Sequence, residues 1–152
     1  MYCYYESPVG ALTLAENEGR LVCLLFGKRQ IDMPYGENDF LRGVMAQLDA
    51  YFAGERRSFD IPIEMRGTPF QKKVWTALQS IPYGSTVSYK ELAEMIGSPK
   101  ACRAVGSANN KNPISIIVPC HRVIGADGKL TGYGGGVDNK AYLLKLEQKK
   151  ER

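Results

Sequence analysis

Apolar and polar residues alternate at the start of the chain, and short turn sequences interrupt the alternation. Tyr2 to Glu6, Ala11 to Glu16 and Arg20 to Phe26 read as strands parted by Ser7-Pro8-Val9-Gly10 and Asn17-Glu18-Gly19, so an antiparallel meander is predicted. Phe40, Leu41, Val44, Leu48, Tyr51 and Phe52 then recur at helical spacing. This predicts an amphipathic helix over residues 38–53, ended by Gly54 and covering one face of the sheet. Ser58 to Glu64 is expected to add a strand. Met65-Arg66-Gly67 reads as a boundary between an N-terminal domain, residues 1–66, and a C-terminal one, residues 67–152.

Beyond the boundary the punctuation is helical. Thr68-Pro69-Phe70-Gln71 combines a capping box with proline at the first helical position, which predicts a helix to about Ile81 with Phe70, Val74, Leu78 and Ile81 as its buried stripe. Ser88-Tyr89-Lys90-Glu91 is a second capping box, opening a short helix through Met95 and Ile96 that Gly97 closes. Ser98-Pro99 starts another, from Lys100 to about Asn110, and the tight turn between the two makes a helix-turn-helix candidate. Ala101, Ala104, Gly106, Ser107 and Ala108 give that second helix a face of small residues around Arg103. A mid-helix glycine costs about 1 kcal/mol against alanine, so the small face serves either tight helix packing or insertion into a groove. Ile114 to Val118 is expected as a buried strand ended by Pro119, and Asn139 to Glu147 as a C-terminal helix.

Composition narrows the class. With 44% apolar and 24% charged residues, the chain resembles an ordinary globular protein. The longest apolar run, Leu21 to Phe26, is far below the roughly 20 residues of a membrane span. The start lacks the basic segment and apolar core of a secretory signal, so a cytoplasmic location and no membrane partner are expected. The net charge of +4 divides unevenly: residues 1–60 carry 6 Lys plus Arg against 9 Asp plus Glu, and residues 61–152 carry 14 against 7. A basic C-terminal part suits a polyanionic partner, and it suits a solvated surface equally.

Cys3, Cys23, Cys102 and Cys120 form no CxxC pair, and a disulfide framework is not expected. Metal is not expected either, because the one histidine, His121, adjoins Cys120 instead of lying at ligand spacing. Cys120 follows Pro119 and precedes His121 and Arg122; positive neighbours favour the thiolate, the nucleophilic form. Neighbours in sequence need not meet in space, and the pattern also fits a structural cysteine beside a surface histidine.

Pro119-Cys120-His121-Arg122-Val123-Ile124 resembles the active-site signature of the O6-alkylguanine-DNA alkyltransferases. Ile81-Pro82-Tyr83-Gly84 with Ser88-Tyr89, Arg103-Ala104-Val105-Gly106, Asn112-Pro113, Gly132-Tyr133-Gly134-Gly135 and Lys140 followed by Leu143-Leu144-Lys145-Leu146-Glu147 are similar to the family's other motifs, in order and at compatible spacing. The likeness spans residues 68 to 147.

The resemblance implies an α+β protein: an N-terminal antiparallel sheet with a helix, ribonuclease H-like, and a C-terminal winged helix-turn-helix domain carrying the active site. It implies irreversible, single-turnover transfer of an alkyl group from O6-alkylguanine in duplex DNA to Cys120, with O4-alkylthymine a second candidate substrate. No cofactor is needed, and the protein would act as a monomer. The family's relay of cysteine, water, histidine and glutamate would fall on Cys120, His121 and Glu147. Tyr89 matches the hydroxyl that bonds the guanine ring, Val123 and Gly134 the positions whose backbones line the base pocket, and Asn112 an asparagine bracing the turn before the active-site strand. The base must leave the duplex to be reached. Arg103 matches the finger that fills the vacated stack, on a helix that docks, with Ala104 and Gly106, in the minor groove. Cys102 stands where the family often has alanine, and is read as a packing residue. Competing readings are a non-enzymatic relative that only binds alkylated DNA, a helix-turn-helix regulator and a Cys-His hydrolase.

Overall fold

The computed structural model describes residues 1–130 and 136–148. It divides into two compact units, one of residues 1–65 with 113–117, the other of residues 66–112 with those from Val118 onward.

In the first unit β1 (Tyr2–Ser7), β2 (Gly10–Asn17) and β3 (Arg20–Phe26) form an antiparallel sheet in that order, as the alternation predicts. In β2, Leu12, Thr13, Leu14 and Ala15 are all fully buried, so both faces of the sheet are covered. Helix α1 (Asp39–Phe52), capped by the Asn38 side chain, buries Leu41, Val44, Leu48 and Tyr51. The Tyr5 hydroxyl donates to its Asp49 at 2.5 Å, placing α1 on one face of the sheet. Opposite, Tyr2, Ala15 and Val22 pack with Ile31 and Met33. Thr13 remains satisfied there, donating to the Gly27 carbonyl at 2.7 Å and accepting the Arg29 N–H at 2.9 Å.

Two predicted strands are corrected. Ser58 to Glu64 contributes a single parallel bridge, Ile63 to Leu21. Pro62 offers the sheet a carbonyl but no N–H, so the ladder cannot run through it. Ile114 to Val118 likewise makes one bridge, Ile114 to Leu24, and then turns. Ile116 has φ +72°, and the Ile117 N–H bonds the Ser115 carbonyl at 2.8 Å, which is a γ-turn of the strained hand. Its apolar run signals burial, and burial is what Ile114 and Ile116 show; an extended backbone does not follow from it.

In the second unit α2 (Pro69–Leu78) has the capping box of Thr68 and Gln71. It stops three residues before Ile81, where the Ser80 and Ile81 N–H groups bond Ala77 and Leu78 and tighten the chain out of the helix. Trp75 pins it to the next helices by donating its indole N–H to Ala108 at 2.8 Å. That ring also fixes Gly67, since a Cβ there would lie 2.5 Å from Trp75 Cη2.

The Ser88–Glu91 capping box opens α3 (Tyr89–Met95), and Gly97 leaves it with φ +76°. Helix α4 (Cys102–Asn110) begins two residues later than the sequence suggests, because Ser98 to Ala101 first closes a turn and Ala101 has no side-chain cap to offer. Strands β4 (Val87–Ser88) and β5 (Val123–Ile124) pair in parallel, and α5 (Val137–Gln148) ends the described chain. No described helix is long and apolar enough to cross a membrane.

Candidate active site

Cys120 opens a single 3-10 turn, Cys120–Arg122; it does not end a strand, which corrects the expectation. Pro119 has φ −81° and ψ 67°, and the Cys120 N–H bonds the Val118 carbonyl at 2.8 Å. This is an inverse γ-turn, and proline's fixed φ suits it. Two asparagines hold the carbonyls on either side of Pro119. Asn112 donates to Val118 at 2.8 Å, and Asn109 donates to Cys120 at 3.3 Å. Asn109 escaped the sequence reading. Its signal was present: with Val105 and Ala108 it occupies the buried face of α4, where an amide has to find partners.

His121 is fully buried, and its Nε2 lies 2.7 Å from Glu147 Oε2 on α5. Its other nitrogen, Nδ1, has no hydrogen-bond partner among the described residues. Arg122, also buried, reaches the same carboxylate through Nε to Oε1 at 2.8 Å and Nη2 to Oε2 at 3.0 Å, and donates from Nη1 to the Ile81 carbonyl at 2.7 Å. Burial acts to raise the Glu147 carboxyl. The hydrogen bond and charge of His121, and then those of Arg122, outweigh burial and hold the carboxyl down at about 2. Burial pushes the His121 imidazole below its usual value, against the pull of Glu147.

Lys140, one helical turn into α5, is buried, which lowers its ammonium, while a charge on Cys120 supports it. That attraction is mutual, so the same cation favours the Cys120 thiolate. Its Nζ sits 5.9 Å from the centre of the half-buried Tyr89 ring. From the sequence Lys140 is only a motif residue, and Arg122 a motif residue and a positive neighbour of Cys120; neither reading foresees the contacts seen here.

Helix α4 turns Arg103, Ala104 and Ser107 outward. Gly106 is half-buried, and a Cβ on it would meet Tyr89 Cδ1 at 3.8 Å, an ordinary contact, so helix packing does not demand glycine there. Cys102 is half-buried. Val123 is fully buried in β5, while Gly134 lies outside the described residues. Among the described residues no three His, Cys, Asp or Glu side chains gather as a metal site would require.

Known proteins resemble both units of the chain. Residues 1–65 match the family described as "6-O-methylguanine DNA methyltransferase, ribonuclease-like domain", and residues 69–149 its "DNA binding domain". A methylated-DNA–protein-cysteine methyltransferase of Methanosarcina acetivorans is 57% identical, over 96% of this chain and 97% of its own. One of Mycolicibacterium paratuberculosis is 54% identical, over 97% and 92%. The crystal structure of Mycobacterium tuberculosis OGT in complex with DNA superposes with a TM-score of 0.91 at 51% identity, over 98% of this chain and 93% of that one. Family descriptions that together span both units, and relatives more than half identical over nearly their whole length, make the chain a member of the 6-O-methylguanine DNA methyltransferase family.

Proposed function

We propose that Cys120 is the residue on which this methyltransferase accepts the alkyl group of O6-alkylguanine from duplex DNA. The observation that carries the reading is the buried contact of His121 with Glu147 beside Cys120, with His121 Nδ1 left over as a further polar atom. Through a bridging water, Nδ1 takes the thiol proton, and Glu147 stabilises the imidazolium that results. The thiolate pair attacks the alkyl carbon, the bond to O6 breaks, and its electrons pass to the guanine ring. The Tyr89 hydroxyl donates to that ring and stabilises its departure. The thioether formed on sulfur is no leaving group for this site, so each molecule reacts once and no cofactor takes part.

A base inside a duplex is out of reach of a buried thiol, so the nucleotide is extruded at a cost of a few kcal/mol. Arg103 fills the gap in the stack, with Ala104 and Gly106 letting α4 approach the minor groove. Val123 and Gly134 supply backbone groups to the base pocket. A monomer acting in the cytoplasm, on residues 1–66 as scaffold and 67–152 as the reacting domain, completes the reading.

The test is stoichiometry. Incubation with excess duplex carrying tritiated O6-methylguanine should place one methyl on each protein molecule and then stop. Continued turnover, or methanol in solution with unlabelled protein, would point to a hydrolase instead.

A further inference from the structure

We propose that Arg122 is a positioning residue that locks the tautomer of His121; the proposal rests on the relay reading above and adds a member to it. One proton between His121 and Glu147 decides the tautomer. His121 Nε2 and Glu147 Oε2 are 2.7 Å apart, and a hydrogen lies between them. It could belong to nitrogen, leaving Nδ1 with a lone pair, or to a protonated carboxyl, leaving Nδ1 with the hydrogen. Only the first arrangement gives Nδ1 the lone pair that takes up a proton from the cysteine.

Burial by itself favours the second arrangement. Glu147 is 1% exposed, and a carboxyl in such a place tends to hold its proton. Arg122 opposes that preference. Its guanidinium is permanently charged and donor-only, and it lies fork to fork on the carboxylate, Nε on Oε1 at 2.8 Å and Nη2 on Oε2 at 3.0 Å. With both oxygens accepting from Arg122, a proton on the carboxyl would face a donor. The carboxylate stays ionised, Nε2 carries the hydrogen, and Nδ1 is left as the acceptor.

The third arm fixes where the fork points. Nη1 donates to the Ile81 carbonyl at 2.7 Å, on the stretch just past α2 whose N–H groups have already turned out of the helix. The Tyr83 ring lies 5.7 Å from the guanidinium carbon. A lysine ammonium could not bond both carboxylate oxygens and Ile81 in this plane, so the position requires arginine and not merely a positive charge.

The chain has one histidine, which makes its imidazole nitrogens unambiguous in 15N NMR. In the unmodified full-length protein at pH 7, Nε2 should report as protonated and Nδ1 as a bare acceptor; the opposite assignment overturns the proposal without any variant. In Arg122→Lys and Arg122→Met the Nδ1-protonated form should appear. Methyl transfer in these variants should fall at least tenfold at neutral pH and partly recover as pH rises, because Glu147 then ionises without its partner. An unchanged imidazole spectrum, with transfer reduced by one factor at every pH, would assign Arg122 to structure alone. The spectrum does not depend on alkyl transfer, so a failure of Cys120 to take up methyl would sink the relay reading and leave the tautomer result standing separately.

Discussion

His121 Nε2 lies 2.7 Å from Glu147 Oε2, and both side chains are almost wholly out of water. A buried polar pair of this kind is costly unless it is complete, and Arg122 completes it from the carboxylate side. The site is therefore a connected set. Removing any member leaves the others with buried polar atoms or charge that nothing opposes.

Acid should unfold the protein in two stages. Burial holds the folded imidazole of His121 below its free value, so below about pH 6.5 the unfolded chain binds a proton that the folded one refuses, and stability falls. The Glu147 carboxyl is depressed from 4.5 to about 2, so its contribution is full above about pH 4.5 and is lost from there towards pH 2. Thermal midpoints measured from pH 7 to 3 should decline through both windows, and a flat profile would contradict the folded geometry.

Glu147→Gln removes the charge but keeps the shape. Arg122 then has no opposite charge, which costs about 3–5 kcal/mol, and the acid stage below pH 4.5 should disappear. Methyl transfer, measured where circular dichroism shows the variant folded, should slow by roughly a hundredfold or more. A folded variant with near-normal transfer would remove Glu147 from the relay.

Asn112→Ala takes the amide from the Val118 carbonyl, which it holds at 2.8 Å. A buried acceptor left unsatisfied costs about 1–3 kcal/mol. Because that carbonyl belongs to the γ-turn presenting Cys120, transfer should slow both with duplex and with the free modified base. Lost stability with unchanged transfer in the folded protein would reduce Asn112 to a structural role.

Arg103 is exposed on the outer face of α4, and none of the described side chains holds it by a hydrogen bond or an ion pair. Arg103→Ala should therefore leave the folding free energy within about 0.5 kcal/mol of the parent's. It should weaken repair of duplex DNA far more than reaction with free O6-methylguanine. Equal losses on both substrates would remove the finger role.

Much of this was legible in the sequence because the local signals were chemically complete. The Thr68 and Ser88 capping boxes placed the starts of α2 and α3, and alternation placed β1 to β3 within a residue at each end. Where the reading failed, the signal was burial without a backbone direction. Ile114 to Val118 is apolar enough for a strand, yet nothing in those residues announces a positive φ at Ile116, a conformation that β-branched side chains disfavour.

The site was readable in part for a related reason. Cys120 and His121 are neighbours in the chain, and the motif pattern supplied Glu147 from 26 residues away. The grip of Arg122 on both Glu147 and Ile81 depends on three separate elements meeting, and periodicity carries no such information.

Whether Cys120 accepts the alkyl group is read directly from its mass. The protein should be mixed with duplex containing one O6-methylguanine, digested with protease, and its peptides mapped by mass spectrometry. A mass increase of one methylene, about 14 Da, on Cys120 alone is the predicted result, with Cys3, Cys23 and Cys102 unmodified. Methyl on another residue, or on none, would contradict the account.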